Sequence, residues 1–149
     1  MVESRHDVEL RGVSRIYSRG GETVKVFDGV DLKIEAGAFC ALMGPSGSGK
    51  STLLNLVGGL DRPDAGELTV GGTSLGDLSE AALASWRAEN IGFIFQQYNL
   101  IPSIDAAANA AVPLIAQGVP IKEARERAKV LLDKLNIGNQ ADKLPRQLS

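Results

Sequence analysis

The chain has 149 residues, 44% of them hydrophobic, and 16 basic residues nearly balance 18 acidic ones to give a formal net charge of -2. These values are typical of one globular domain and exclude a disordered chain. They also exclude a global attraction to nucleic acid or to an anionic membrane surface, so any anion site must be local. The single cysteine, Cys40, excludes a disulfide framework and is predicted to be a small buried hydrophobe.

The start of the chain, residues 1–9, is charged and lacks the apolar stretch of a secretory signal. The longest uncharged stretch, residues 106–121, is interrupted by polar residues and prolines, so it does not predict a membrane span. The chain is therefore expected to be cytoplasmic. His6 is the sole histidine, which argues against a histidine-based metal site.

The first third of the chain predicts strands. Residues 8–34 form two strand-rich stretches around a turn cluster at residues 18–21. The second stretch alternates as a half-buried strand does, with Val24, Val26, Val30, Leu32 and Ile34 on one side. Residues 39–43 are apolar on both parities, which predicts a strand of a parallel sheet buried on both faces. Shorter strands are predicted over residues 67–70 and 91–95.

Helices are predicted over residues 50–57, 79–88, 105–117 and 121–135, with Ser79 and Asp105 as N-caps. In the last helix an ion pair between Glu123 and Arg127 is expected on the solvated face. The opposite, apolar face is predicted to hold Ile121, Ala124, Ala128, Leu131 and Leu135.

Residues 44–51, Gly-Pro-Ser-Gly-Ser-Gly-Lys-Ser, match the phosphate-loop pattern G-x-x-x-x-G-K-[ST] at every fixed position. Glycines let the backbone curl so that consecutive N–H groups point at phosphate oxygens, and the helix that follows adds its positive end. Lys50 supplies a charge to the β and γ phosphates, and the Ser51 hydroxyl suits Mg²⁺. A glycine-rich turn with an incidental lysine explains less, because the motif follows a predicted buried strand and opens a helix. The pattern predicts a site for ATP, or another nucleoside triphosphate, with Mg²⁺.

Further segments of the chain resemble ABC transporter ATP-binding subunits. The match continues through residues 51–55 and 58–67, residues 91–102 look like the Q-loop of the family, and residues 145–149 look like the approach to its signature motif. In detail the chain is most similar to the branch that serves lipoprotein release, macrolide export and cell division. A P-loop kinase or a GTPase fits neither of the last two segments.

The resemblance implies an α/β fold: a P-loop NTPase (RecA-like) ABC ATPase core with an N-terminal antiparallel β-subdomain and a helical subdomain. Residues 1–149 are expected to form a single, partial ATP-binding domain, with the β-subdomain and core in residues 1–96 and the helical subdomain in residues 97–149. The sheet is expected to be incomplete, because in the family the neighbours of the strand at residues 39–43 come from sequence beyond Ser149.

The resemblance also assigns roles to residues. Tyr17 occupies the position of the aromatic that stacks on adenine, although a strand aromatic packed on the core is the plainer alternative. Gln96, rather than Gln97, matches the glutamine that reaches Mg²⁺ and the attacking water. Lys50 and Gln96 are thus the expected catalytic residues, and Ser51 and Gln96 the metal ligands. The expected ATP-binding residues are Tyr17, Gly44, Pro45, Ser46, Gly47, Ser48, Gly49, Lys50, Ser51 and Thr52.

As a family member the chain is expected to bind Mg-ATP and couple its hydrolysis to transport through transmembrane permease subunits. The ATPase domains of the intact protein are expected to form a homodimer on the inner face of the plasma membrane, with no nucleic acid as partner. Residues 98–102 are expected to face the membrane partner. One departure concerns the partner's identity: Ala108 precedes Asn109, where many relatives carry a glutamate.

A family ATPase also needs an acidic strand end, an adjacent glutamate and a switch histidine, and the sequence offers no substitute for them. Asp61, Asp64 and Glu67 are acidic, but their place in and after a turn predicts a surface role. These 149 residues alone are therefore expected to be deficient in hydrolysis. The alternative function is a truncated nucleotide-binding module, or remnant, that binds ATP without turnover.

Overall fold

The computed structural model describes residues 8–148, and the chain forms two compact units, one ending at Arg87 and the other beginning at Ala88. The first unit starts with the predicted hairpin, in which β1 (Val8–Arg19) pairs antiparallel with β2 (Glu22–Ile34). The turn between them lies at Gly20 and Gly21, whose φ angles are 61° and 87°. The predicted turn is confirmed at these two glycines, whereas Ser18 and Arg19 of the predicted cluster belong to β1.

Two further strands complete a four-stranded antiparallel sheet in the order β2-β1-β3-β4. β3 (Ala65–Val70) contains the short strand predicted from the sequence, and β4 (Thr73–Ser74) follows it. β1 is central, so Leu10 lies opposite Leu32 of β2 and Leu68 of β3. One face of this sheet contributes to a core of fully buried apolar side chains: Leu10, Val13, Leu56, Leu68, Leu75 and Leu83.

Two helices also contribute to that core. α1 (Lys50–Val57) has the predicted bounds and places Leu56 in the core. α2 (Glu80–Asn90) places Leu83 there. The predicted N-cap of α2 is confirmed, because the Ala82 N–H donates to Ser79 Oγ at 3.2 Å.

The second unit contains α3 (Ala106–Ala116) and α4 (Ile121–Lys134), followed by 3-10 turns at Gly138–Gln140 and Pro145–Gln147. The predicted ion pair between Glu123 and Arg127 is present. The predicted apolar face of α4 is partly wrong. The buried residues are Ala124, Ala128 and Leu132, whereas Ile121, Leu131 and Leu135 are more than half exposed. The buried stripe advances in steps of four residues from one alanine to the next, and these small side chains allow α3 to pack closely.

The two remaining predicted strands are not formed. Residues 39–43 and 91–95 have no strand assignment, and Phe39 and Ile94 are fully exposed. Cys40 is exposed as well, so its predicted burial is wrong. A strand is buried on both faces only where neighbouring strands pair with it and other elements cover it. Within residues 8–148 neither segment has a strand partner.

Candidate nucleotide site

The predicted phosphate loop connects the exposed segment at residues 39–43 to the first turn of α1. The loop has no regular structure, and α1 begins at Lys50 with Gly49 as its N-cap residue. The Leu53 N–H donates to the Gly49 carbonyl at 2.9 Å, which closes the first helical turn. No side chain caps this end of the helix. The loop therefore leads into the positive end of α1, which is a setting that favours an anion.

Two glycines of the loop are fixed by close contacts. A Cβ atom on Gly44 would lie 2.7 Å from Ser48 Oγ. Gly49 has a φ angle of 88°, and a Cβ atom there would come within 3.0 Å of side-chain carbons of Val26 and Phe27. The left-handed backbone and close contacts at Gly49 thus favour a residue without a side chain there, whereas at Gly44 the contact is with a serine hydroxyl that can rotate.

Lys50 turns back over the loop. Its Nζ donates to the carbonyl oxygens of Gly44 at 2.8 Å and Pro45 at 2.6 Å, and lies 3.3 Å from Ser48 Oγ. The ammonium group is therefore held at the loop by neutral oxygens, none of them a carboxylate. A charge in this position can be shared with an incoming phosphate without first breaking an ion pair.

Mg²⁺ fits this site only as a metal shared with phosphate. Ser51 lies in the first turn of α1, next to Lys50, and is exposed. Among residues 8–148, no group of three or more His, Cys, Asp or Glu side chains is arranged to hold a metal. Mg²⁺ commonly keeps several waters and binds through substrate phosphates with few protein ligands, so one hydroxyl oxygen beside a phosphate cradle suits it.

Tyr17 belongs to a cluster that the sequence analysis did not identify. Its hydroxyl donates to Asp61 Oδ2 at 2.6 Å. Arg15 binds the same carboxylate in bidentate fashion, through Nε at 2.9 Å and Nη2 at 2.7 Å, and donates to Asp64 at 3.0 Å. The guanidinium carbon of Arg15 lies 4.5 Å from the centre of the Tyr17 ring. Asp64 and Glu67 are exposed, as the sequence predicts, whereas Asp61 is partly buried, and both aspartates are paired with Arg15.

The cluster keeps its charges at neutral pH. Partial burial opposes the charge on Asp61, but hydrogen bonds from Tyr17, a backbone N–H and Arg15 outweigh it and lower its pKa. A backbone N–H and Arg15 also lower the pKa of Asp64. Burial opposes the charge on Arg15, yet its bonds to Tyr17 and to both carboxylates raise its pKa above the usual value for arginine. Both carboxylates are thus poor proton acceptors.

A cavity of about 370 Å³ opens beside Arg15 and Asp61. The other two arginines in its wall are engaged in structural bonds. Arg62 binds Glu80 and the carbonyl of Leu78, and Arg87 donates to the carbonyl of Gly59. These bonds occupy Arg62 and Arg87 in holding the turn after α1 in place.

Gln96 lies in the exposed irregular segment after α2, in the unit that begins at Ala88. Its predicted role at Mg²⁺ stays a prediction. In the same segment Tyr98 is 88% exposed. The turn that follows is held by Asn109, whose Oδ1 accepts from the Ile101 N–H at 2.7 Å and whose Nδ2 donates to the carbonyls of Ile101, Ile104 and Asp105.

Comparisons with known proteins show the family to which the chain belongs. The family described as ABC transporter matches residues 27–149. The macrolide export ATP-binding/permease protein MacB of Wolinella succinogenes is 49% identical over 142 residues, which cover 95% of this chain and 22% of that protein. The lipoprotein-releasing system ATP-binding protein LolD of Chromohalobacter salexigens is 43% identical, with coverage of 95% and 60%.

A solved structure agrees with this result. The dimeric, post-hydrolysis ATP-binding cassette MJ0796, bound to ADP and Pi, superposes with a TM-score of 0.85 at 40% identity, covering 95% of this chain and 63% of that one. The chain therefore belongs to the ABC transporter family and has the α/β fold of its cassettes, as the resemblance predicted. It spans 22% of the MacB protein and 60% of the LolD protein. None of the helices within residues 8–148 has the length and apolar character needed to cross a membrane.

Proposed function

We propose that the chain is the ATP-binding module of an ABC transporter and binds Mg-ATP at residues 44–52. The observation that carries this proposal is the phosphate loop, in which Lys50 is held over the loop by Gly44 and Pro45 at the positive end of α1. In a member of this family, a loop with this arrangement serves to bind a nucleoside triphosphate.

Each residue of the site has one task in this proposal. The loop N–H groups and the Lys50 ammonium bind the β and γ phosphates, and the Ser51 hydroxyl is the protein's ligand for Mg²⁺. Tyr17 stacks on adenine, and Gln96 orients the attacking water. Mg²⁺ supplies charge neutralisation on the phosphate oxygens when bound.

The partners follow from the same proposal. Transmembrane permease subunits take up the movement that nucleotide binding drives, which places the chain at the inner face of the plasma membrane. A homodimer of ATPase domains is supported by the cassette MJ0796, whose solved structures are described as dimeric.

We also propose that the 149-residue polypeptide alone hydrolyses ATP far more slowly than a complete family ATPase. Hydrolysis needs a carboxylate that polarises the water, in addition to Gln96, which orients it. Asp61 and Asp64 do not serve, because both are paired with Arg15 and their pKa values are lowered. The polypeptide then behaves as a binding module.

Equilibrium binding of Mg-ATP to the purified chain and to Lys50→Ala tests the proposal. Loss of a charge-assisted contact of about 1.5–3 kcal/mol predicts binding about 10- to 100-fold weaker. Lys122→Ala, an exposed lysine in α4, is the matched control and should bind as the wild type does. Equal affinity of folded Lys50→Ala and wild type contradicts the site, and rapid turnover that depends on Lys50 contradicts the second proposal alone.

A further inference from the structure

The ring of Tyr17 is restrained at two places. Its hydroxyl is anchored to Asp61 at 2.6 Å, and the Arg15 guanidinium covers one face of the ring at 4.5 Å from the centre. Arg15 itself cannot shift easily, because it is bonded to Asp61 and Asp64 together. The side chain of Tyr17 is still about one-third exposed. The ring is thus held in one plane, with one face taken by a cation.

The hairpin that carries this restrained ring also contacts the phosphate loop. Arg15 and Tyr17 are two residues apart on β1 and therefore share a face. Phe27 of β2 is the cross-strand partner of Arg15, and the register of the two strands shifts on either side of this pair. The last glycine of the loop, Gly49, packs against Phe27. The hairpin therefore carries the Tyr17 cluster on β1 and contacts the end of the loop through Val26 and Phe27 of β2.

We infer that Arg15 and Asp61 are positioning residues that fix the orientation of the Tyr17 ring. A nucleobase then stacks on the ring face opposite the guanidinium. This inference rests on the proposed function, in which Tyr17 stacks on adenine, and adds the residues that position the ring. The ring is ordered before the ligand arrives, so binding the base costs less conformational entropy. A cation on the far face also suits a ring whose faces carry negative charge density.

A purely structural role for the cluster is the competing explanation. Arg15 also ties β1 to the turn at Asp61 and Asp64, and that tie would persist whatever Tyr17 did. The two explanations differ in one measurable respect. A positioning role affects ligands that have a base, and only while the tyrosine ring is present.

The experiment measures affinity for Mg-ATP and for Mg-triphosphate, the inorganic chain without base or sugar, on the full 149-residue polypeptide. Tyr17→Phe removes only the hydroxyl and leaves the Arg15 ion pairs in place. Arg15→Gln removes the cation. Arg11→Gln is the matched control, since Arg11 lies on the same strand and pairs with Glu9 at the surface. Circular dichroism checks that each variant is folded.

Tyr17→Ala should weaken ATP binding about 5- to 150-fold, the range for loss of one base–aromatic stack. Tyr17→Phe and Arg15→Gln should each weaken it about two- to tenfold, as loss of a restraining hydrogen bond does. Triphosphate affinity should stay unchanged in all three. In the Tyr17→Ala background, Arg15→Gln should have no further effect on ATP.

Three results overturn the inference. One is equal loss for ATP and triphosphate in Arg15→Gln, and another is an undiminished Arg15→Gln effect without the tyrosine. A third is wild-type ATP affinity in Tyr17→Phe, which decides the matter even where Arg15→Gln does not fold. Failure of the proposed function looks different: wild-type protein then shows no Lys50-dependent binding of either ligand, and the inference fails with it.

Discussion

Gly49 and Phe27 are in such close contact that a methyl group on the glycine would lie 3.0 Å from the ring carbon Cε1. The contact joins the last glycine of the phosphate loop to β2. It requires both the missing side chain and a φ angle of 88°. The position of the loop is thus set by the hairpin as well as by its own glycines.

Gly49→Ala should therefore lower both stability and nucleotide affinity. The left-handed backbone costs alanine about 1–2 kcal/mol, and the contact with Phe27 adds to this cost by displacing the loop. Gly47→Ala separates the two effects, because Gly47 has a φ angle of 81° and open space around it. Gly76→Ala, with neither constraint, should be close to neutral. Urea denaturation and Mg-ATP titration measure both quantities, and equal behaviour of the Gly49 and Gly47 variants would argue against the contact.

Asp105 caps α3 and pairs with Arg125. Its Oδ1 accepts from the Ala108 N–H at 2.8 Å, and both oxygens accept from the guanidinium at 2.8 and 2.7 Å. Asp105→Ala should cost about 1 kcal/mol for the lost cap and about 0.5–1 kcal/mol for the partly exposed ion pair. Asp105→Asn keeps a capping oxygen, so it should lose only the second part.

The same pair predicts a dependence on pH. Hydrogen bonds from Arg125 lower the pKa of Asp105, so its contribution is fully present above the unfolded-state value of about 3.9 and is lost as pH falls through the lower folded-state value. The difference in unfolding free energy between wild type and Asp105→Asn should be constant from pH 7 to 5 and shrink below about pH 4. A difference that persists unchanged at pH 2 would show that the ion pair contributes nothing.

Asn109 should be needed for the order of the turn before α3. Asn109→Ala removes an acceptor for the Ile101 N–H and a donor to three carbonyls, which predicts a loss of about 1–3 kcal/mol. Asn109→Asp keeps the acceptor and removes the donor, so it should protect the Ile101 N–H better than alanine does. Amide hydrogen exchange at Ile101 measures this difference. Equal exchange rates in wild type and Asn109→Ala would contradict it.

Tyr98 should lie against a membrane-embedded partner in the assembled transporter. It is 88% exposed in a segment that resembles the Q-loop region, so it is free for contact. A photoreactive amino acid at position 98 should cross-link to a transmembrane subunit in native membranes. The same group at position 24, where Val24 is 57% exposed on β2, serves as the control. Products with soluble proteins alone would count against the transporter proposal.

Local patterns predicted most of the fold. The hairpin, the bounds of α1 and the caps at Ser79 and Asp105 depend on residues close in sequence, and all were read correctly. The strands at residues 39–43 and 91–95 were predicted wrongly, because apolar composition reports a tendency to be buried and does not supply a partner.

The Tyr17 cluster was missed for a related reason. Arg15 and Asp61 are 46 residues apart in the sequence. A charged residue in a strand or a turn is ordinarily interpreted as exposed at the surface. One signal was available: Arg15 precedes Tyr17 by two residues, so alternation places both side chains on one face of a strand. The carboxylates that complete the cluster could be identified only from the fold.

The exposure of Cys40 offers a way to observe nucleotide binding directly. It is the sole cysteine of the chain, its thiol is accessible, and it precedes the phosphate loop by a few residues. A maleimide dye would therefore attach at one site without any engineered substitution. Its emission would report the environment of the segment that enters the loop, and its rate of attachment would show when another surface covers that segment.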